Sequence, residues 1–237
     1  MNSFSSLRLP LSRVRRAVCE ALGIPRYSYL GLNGLDRKIE RHLDFDHGLF
    51  IEAGANDGLR QSNTYYFEKI RGWTGLLVEP EPTQAAACRR NRCSRVVEAA
   101  LVASEVPGAT VELHFAGLMS TVSGALGNAE VTARHIADGL AVQQLPATRR
   151  LLVPARTLSA LLDEAGIDRP VDLLSLDVEG GEPEALRGID FARHAPRFIC
   201  VETRDTEAIT KVLEPRYRLL EVLTDFGAHR DLLYMLR

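Results

Sequence analysis

The acidic residues that could do chemistry stand at the ends of apolar runs. Glu52 and Asp57 lie in "FIEAGANDG" (50–58), Glu79 closes "LLVE" (76–79), and Glu202 closes "FICVE" (198–202). Asp177, Glu179, Glu182 and Glu184 crowd into eight residues of "LLSLDVEGGEPE" (173–184). Carboxylates placed this way can accept hydrogen bonds from a ligand, take a proton as general base, or hold a hard metal ion.

The glycines of "FIEAGANDG" narrow the choice. Gly54 and Gly58 would let backbone approach a ligand. Their spacing is G-x-x-x-G, not the G-x-G-x-x-G of dinucleotide loops, and a tight strand-to-helix turn would also explain it. A pyrophosphate seeks bare N–H groups and a helix N-terminus. Glu52 and Asp57 would repel it, whereas a cationic ligand such as S-adenosylmethionine reverses the preference. Glu79 follows Gly58 by 21 residues, where an acid can accept from both ribose hydroxyls. Ala99 and Ala100 leave room for an adenine ring or simply pack a strand.

Asp177 and Glu179 are two apart at a strand end, so they share one side of it. Glu182 and Glu184 suit a helix start, where acids are favoured. Asp177 is the first choice for chemistry. Transfer of a methyl group to oxygen is an in-line displacement that needs the acceptor held at about 3 Å and its proton removed. Asp177, Glu179 and Glu202 are the candidate catalytic residues, and together they could hold Mg²⁺. One of them could instead bind the cofactor's ammonium or serve as base. His135 and His229 are further candidate bases; His42, His47, His114 and His194 carry no readable signal.

These residues need a scaffold. Apolar runs at 49–54, 75–80, 95–101, 172–178 and 197–202 alternate with helix-like segments at 62–72, 83–91, 157–166 and 182–190. The alternation predicts an α/β fold with a mostly parallel sheet and helices on both faces. "YRLLEVL" and "DLLYMLR" predict two closing strands joined as a hairpin. Residues 1–48 read as a helical preface, with Leu35, Ile39 and Leu43 on one face, before a main domain at 49–237. Residues 103–150 break the rhythm: "VELHFAG" could supply an extra strand, and the region reads as a lid or substrate-binding insertion, with Ser120, Thr121 and Ser123 as selectivity candidates.

Composition sets limits. Hydrophobic residues make up 46% and charged residues 25%, and the net charge is −2. That balance is ordinary for a globular domain and gives nucleic acid no bulk attraction. No apolar run is long enough for a membrane span, and no signal-peptide pattern is visible, so a cytoplasmic protein is expected. Cys19, Cys88, Cys93 and Cys200 form no C-x-x-C pair, and buried free thiols are the expectation.

Taken in order, "FIEAGANDG", "SNTYYFE", "GWTGLLVEPEP", "NRCSRVVEAALV", "TLSALL" and "DLLSLDVEGGEPEALRGIDF" resemble the FkbM family of S-adenosylmethionine-dependent methyltransferases, from about residue 34 to about 205. The resemblance implies a class I, Rossmann-like methyltransferase fold: a seven-stranded sheet, mostly parallel, with an antiparallel last strand and helices on both faces. It also implies O-methylation of a small-molecule acceptor, a natural product or a sugar. The cofactor loop would be Glu52, Gly54, Asn56, Asp57 and Gly58. Glu79 would be the ribose contact, with Pro80 and Ala100 beside it and Asp177 beyond. Ser62, Asn63 and Thr64 match an S-N-T stretch that caps the next helix or reaches the cofactor's carboxylate. A nicotinamide-dependent oxidoreductase and a non-catalytic binding module remain the alternatives.

Overall fold

The computed structural model describes residues 11–106 and 108–237. In chain order the elements begin with α1 (Leu11–Ala21), α2 (Leu35–Glu40), β1 (Leu49–Ala53), α3 (Tyr65–Lys69), β2 (Thr74–Val78), α4 (Pro82–Asn91) and β3 (Arg95–Val97). Then come β4 (Ala100–Leu101), β5 (Thr110–Phe115), β6 (Thr121–Val122), α5 (Ala129–Gln143), β7 (Arg149–Arg156) and α6 (Leu158–Ala165). The chain ends with β8 (Leu173–Leu176), α7 (Glu182–Arg187), β9 (Phe198–Thr203), α8 (Thr206–Leu213), β10 (Tyr217–Asp225) and β11 (Arg230–Leu236).

The main sheet has seven strands in the order β10-β11-β9-β8-β1-β2-β3. β8, β1, β2 and β3 run parallel, as does β9, while β11 is antiparallel to both β9 and β10. Strand alternation divides the core. Leu49, Ile51 and Ala53 face a layer built with Leu158, Leu161 and Leu186. Phe50 faces the other layer, with Ile39, Phe67 and Trp73. Every residue of β1 is buried, as expected for a parallel strand covered on both sides. Leu35, Ile39 and Leu43 all enter that second layer. Cys88 and Cys200 are buried free thiols, whereas Cys93 is exposed, against expectation, beside Lys69.

Much of the span 108–150 lies in regular elements. Strand β5 pairs antiparallel with β6 and β7, and β7 pairs parallel with β4, giving a second, four-stranded sheet. Helix α5 is capped by Asn128, whose Oδ1 accepts from the Val131 N–H at 2.8 Å. Its buried positions are Thr132, His135, Ile136 and Gly139. The spacing is helical, but most of the residues are polar or small, so no apolar stripe announces the helix.

Candidate active site

A cavity of about 740 Å³ opens at the C-terminal ends of β1, β2, β8 and β9, between the main sheet and residues 117–125 of the insertion. This is the crevice where open α/β sheets bind ligands. Glu52, Gly54, Asn56 and Asn63 line it on one side, and Glu79, Pro80 and Ala100 on another. Asp177, Glu179 and Glu202 line its far end, together with Arg204 and His229.

Glu79 is buried, and its Oε2 and Oε1 accept the N–H groups of Asn56 (2.8 Å) and Glu81 (2.9 Å). Burial raises its carboxyl to about 7, against the lowering effect of those two N–H bonds. Each oxygen still has a lone pair to offer, so hydroxyl donors from a ligand would relieve the desolvated charge.

Glu52 stands at the end of the adjacent strand in a different state. Its Oε2 accepts from Ser62 Oγ (2.9 Å), Thr64 Oγ1 (2.6 Å) and Arg92 Nη1 (3.1 Å), and its Oε1 accepts from the Asn63 N–H (2.8 Å). The Arg92 side chain is fully buried and also meets Glu68 at 3.2 Å. Ser62 and Thr64 therefore turn inward to this ion pair; Ser62 Oγ also accepts the Tyr65 N–H at 3.1 Å, at the start of α3. Asp57 folds back on its own loop, where Oδ1 accepts from the N–H groups of Leu59 (2.9 Å) and Arg60 (2.8 Å). The negative charge that seemed to bar a phosphate is thus neutralised or turned away, and Glu79 is the buried acid of this region without a cation.

The two glycines also serve the protein first. Gly54 has φ +83°, and a Cβ there would fall 1.8 Å from the Asp177 carbonyl oxygen. It lets the ends of β1 and β8 touch. Gly58 has φ +78°, and its Cβ would meet Arg92 Cγ at 2.6 Å and Cys88 Sγ at 2.9 Å. Of the pair, only Gly54 lines the cavity.

Two acceptors at the cavity lack donors: Asn63 Oδ1 and Asp177 Oδ1 are buried without a hydrogen bond. Asn63 lines the cavity, and its Nδ2 donates to Ser175 Oγ at 3.1 Å. Unpaired buried acceptors call for a donor-rich partner, and an ammonium is one.

Oxygens of Asp177, Glu179 and Glu202 lie within 4.8 Å of one another. Burial and the nearby Glu202 raise the Asp177 carboxyl. Burial and Glu202 lift Glu179 to about 8, against Arg204, whose Nη2 is 3.3 Å from its Oε2. Burial and Asp231 lift Glu202 to about 7. Glu182 is occupied elsewhere, accepting from the N–H groups of Val178 (2.9 Å) and Gly180 (3.0 Å). The insertion reaches this centre through Thr121 Oγ1, which donates to the Glu179 carbonyl at 2.7 Å, and through His135 Nε2, 3.4 Å from Glu179 Oε2. His135 is buried and its ring is held toward the neutral form by burial and by Arg204. Ser120 and Ser123 line the cavity.

The Methyltransferase FkbM domain model matches residues 52–235, well over half of the chain. The chain belongs to the FkbM methyltransferase family. Its seven-stranded sheet with an antiparallel C-terminal strand is the class I methyltransferase fold, and S-adenosylmethionine is the cofactor of that fold and family. Among solved structures, a TehB-like S-adenosylmethionine-dependent methyltransferase from Corynebacterium glutamicum aligns at 11% identity and TM-score 0.45, covering 95% of this chain and 98% of its own. The METTL16 methyltransferase domain aligns at 12% identity and TM-score 0.46, over 85% and 79%. A precorrin-6y C5,15-methyltransferase from Geobacter metallireducens aligns at 11% identity and TM-score 0.43, over 91% and 97%. Comparison with curated proteins returns no match. No helix among the described residues is long and apolar enough to cross a membrane.

Sequence reasoning missed Arg92, Arg204 and Ser175. Arg92 sits in "RRNRC", where its neighbours Arg89 and Arg90 are exposed, and nothing local marks it as the buried one. Its partner Glu52 is 40 residues away.

Proposed function

We propose that this FkbM methyltransferase transfers a methyl group from S-adenosylmethionine to a hydroxyl oxygen of a small molecule. The observation that carries the reading is the carboxylate centre of Asp177, Glu179 and Glu202 at the ends of β8 and β9, facing the open cavity. When bound, S-adenosylmethionine supplies an electrophilic methyl on a sulfonium. The protein's part is to hold, orient and accept a proton. Glu79 receives the ribose hydroxyls, with Pro80 and Ala100 beside the adenine. Asn63 Oδ1 and Asp177 Oδ1 take the amino group of the methionine portion. Asn56 contributes through its backbone, which fixes Glu79. Glu52 and Gly54 shape the loop at the cavity wall, and Asp57, Gly58, Ser62 and Thr64 shape it from behind.

Glu202 is the proposed base. A carboxyl near 7 is largely ionised at slightly alkaline pH and still basic enough to take the hydroxyl proton as the methyl arrives. Glu179 is held by Arg204 and is less free to do so. Asp177, Glu179 and Glu202 would also suit Mg²⁺, an all-oxygen ligand set whose mutual repulsion a dication relieves, and the ion would acidify the acceptor hydroxyl. The insertion forms the acceptor wall. Leu118, Met119, Val122 and Ala125 favour an acceptor with an apolar part, with Ser123 available for its polar groups, while the Ser120 hydroxyl is taken up by Gly117 and Ala116.

The test has two arms. Calorimetric titration should give binding of S-adenosylhomocysteine and none of NADH. The protein is then incubated with methyl-labelled S-adenosylmethionine and a fractionated small-molecule extract, with Mg²⁺ or EDTA. Label on a product oxygen, lost in E202Q, supports the reading. Label on nitrogen, or an undiminished rate in E202Q, overturns it. Loss of transfer in EDTA, restored by Mg²⁺, would assign the metal.

A further inference from the structure

Helix α1 wears its apolar side outward. Leu11, Val14 and Val18, with Leu22 in the turn just past the helix end, fall at intervals of three, four and four residues and form one stripe, 88%, 45%, 53% and 69% exposed. None of the helix residues is buried. A surface helix of a globular domain normally does the opposite and buries that stripe. The contacts to the body are made by the polar side. The Arg16 guanidinium lies 5.1 Å from the Tyr65 ring centroid and its Nε is 3.8 Å from Glu20, whose Oε1 accepts from Ser28 Oγ at 3.1 Å. Arg15, toward the stripe, lies 4.3 Å over the Tyr27 ring. The helix is thus tethered by charge and displays hydrocarbon.

Charge is segregated in the same place. Residues 1–30 hold five arginines and one glutamate, a balance of +4, while the rest of the chain carries −6 within a total of −2. A cationic element with an aliphatic stripe matches a surface that is anionic and has an apolar layer beneath its charge.

We propose that α1 docks this protein on an anionic membrane surface, lying in the interface plane with Leu11, Val14, Val18 and Leu22 toward the acyl chains and its arginines among the headgroups. A second copy of the chain fits less well, because pairing two such helices brings like charges together. Nucleic acid would meet the arginines but has no use for the stripe. The proposal concerns where the enzyme sits and is independent of which atom it methylates.

Vesicle co-sedimentation of the full chain tests it. Phosphatidylcholine–phosphatidylglycerol vesicles should retain the protein. Binding should fall at least about tenfold with phosphatidylcholine alone, and likewise in high salt. V14S/V18S should lose at least about tenfold in vesicle binding, because the stripe is what inserts. Its unchanged S-adenosylhomocysteine titration would show that it is folded. Should that variant not fold, R13S/R15S takes its place and should lose the preference for anionic vesicles. No retention by either vesicle, or equal retention of wild type and V14S/V18S, overturns the proposal. So does a dimer in light scattering that V14S/V18S splits, or binding to an oligonucleotide without binding to vesicles.

Discussion

Glu52 and Glu79 end neighbouring strands, are both buried, and look alike in sequence as acids closing apolar runs. Glu52 is saturated by four donors and paired with a fully buried arginine. Glu79 has two backbone N–H groups and no cation. The difference is the one expected between an acid that holds the fold and one that, on the proposed reading, receives a ligand. A buried charge that is fully met inside the protein holds the fold; one met only in part is kept costly until a ligand arrives.

The comparison can be broken from the structural side first. Arg92→Met would leave Glu52 and Glu68 buried without their cation and should cost about 3–5 kcal/mol in denaturant unfolding. A loss below about 1 kcal/mol would show that Arg92 is not what holds the loop. The acid side comes next. Glu79→Ala should weaken S-adenosylhomocysteine binding about 10–100-fold, roughly 1.4–2.8 kcal/mol, with little change in unfolding free energy. Equal affinity in the variant would remove Glu79 from the cofactor site.

The two regions should also answer pH with opposite signs. Burial pushes the Glu68 carboxyl up, but Arg92 and the N–H groups of Ser94 and Cys93 take it down to about 2. Its contribution is present above the ordinary carboxylate value near 4.5 and is lost as pH falls toward 2. Glu79, raised to about 7, acts the other way: the native state holds the proton more tightly, so its contribution is greatest below 4.5 and is lost as pH rises to 7. The unliganded protein should lose stability between about pH 5 and 7, and S-adenosylhomocysteine should stabilise it more at pH 8 than at pH 6. Thermal unfolding with and without the ligand reads both. A ligand shift independent of pH would contradict the state assigned to Glu79.

The smallest effect expected is in Glu52→Gln. It should cost about 1–2 kcal/mol of stability and change cofactor affinity less than about threefold. A tenfold loss of affinity at unchanged stability would make Glu52 a ligand contact after all.

The strands were legible because alternation and burial leave a mark in the residues themselves. Leu49, Ile51 and Ala53 belong to one core layer and Phe50 to the other, and the apolar run shows it. The acidic centre was legible for a similar reason, since Asp177, Glu179 and Glu202 all close such runs. What the acids do was not, because it depends on partners far along the chain: Arg92 for Glu52, Arg204 and His135 for Glu179. Within the insertion "VELHFAG" pointed to β5, but the rest hid for another reason. Helix α5 buries Thr132, His135 and Gly139, and β6 is two residues long, so neither element carries an apolar period.

The contact between Gly54 and the Asp177 carbonyl sets a limit on how this enzyme can diversify. Donor loop and acidic centre meet through backbone, with no side chain between them to vary. The insertion reaches that centre through Thr121 Oγ1 and His135 Nε2. On the proposed assignment, changes to the wall at 117–120 and 122–125 leave both the Thr121 contact and the joint at Gly54 in place, so laboratory evolution toward new acceptors has its natural place there.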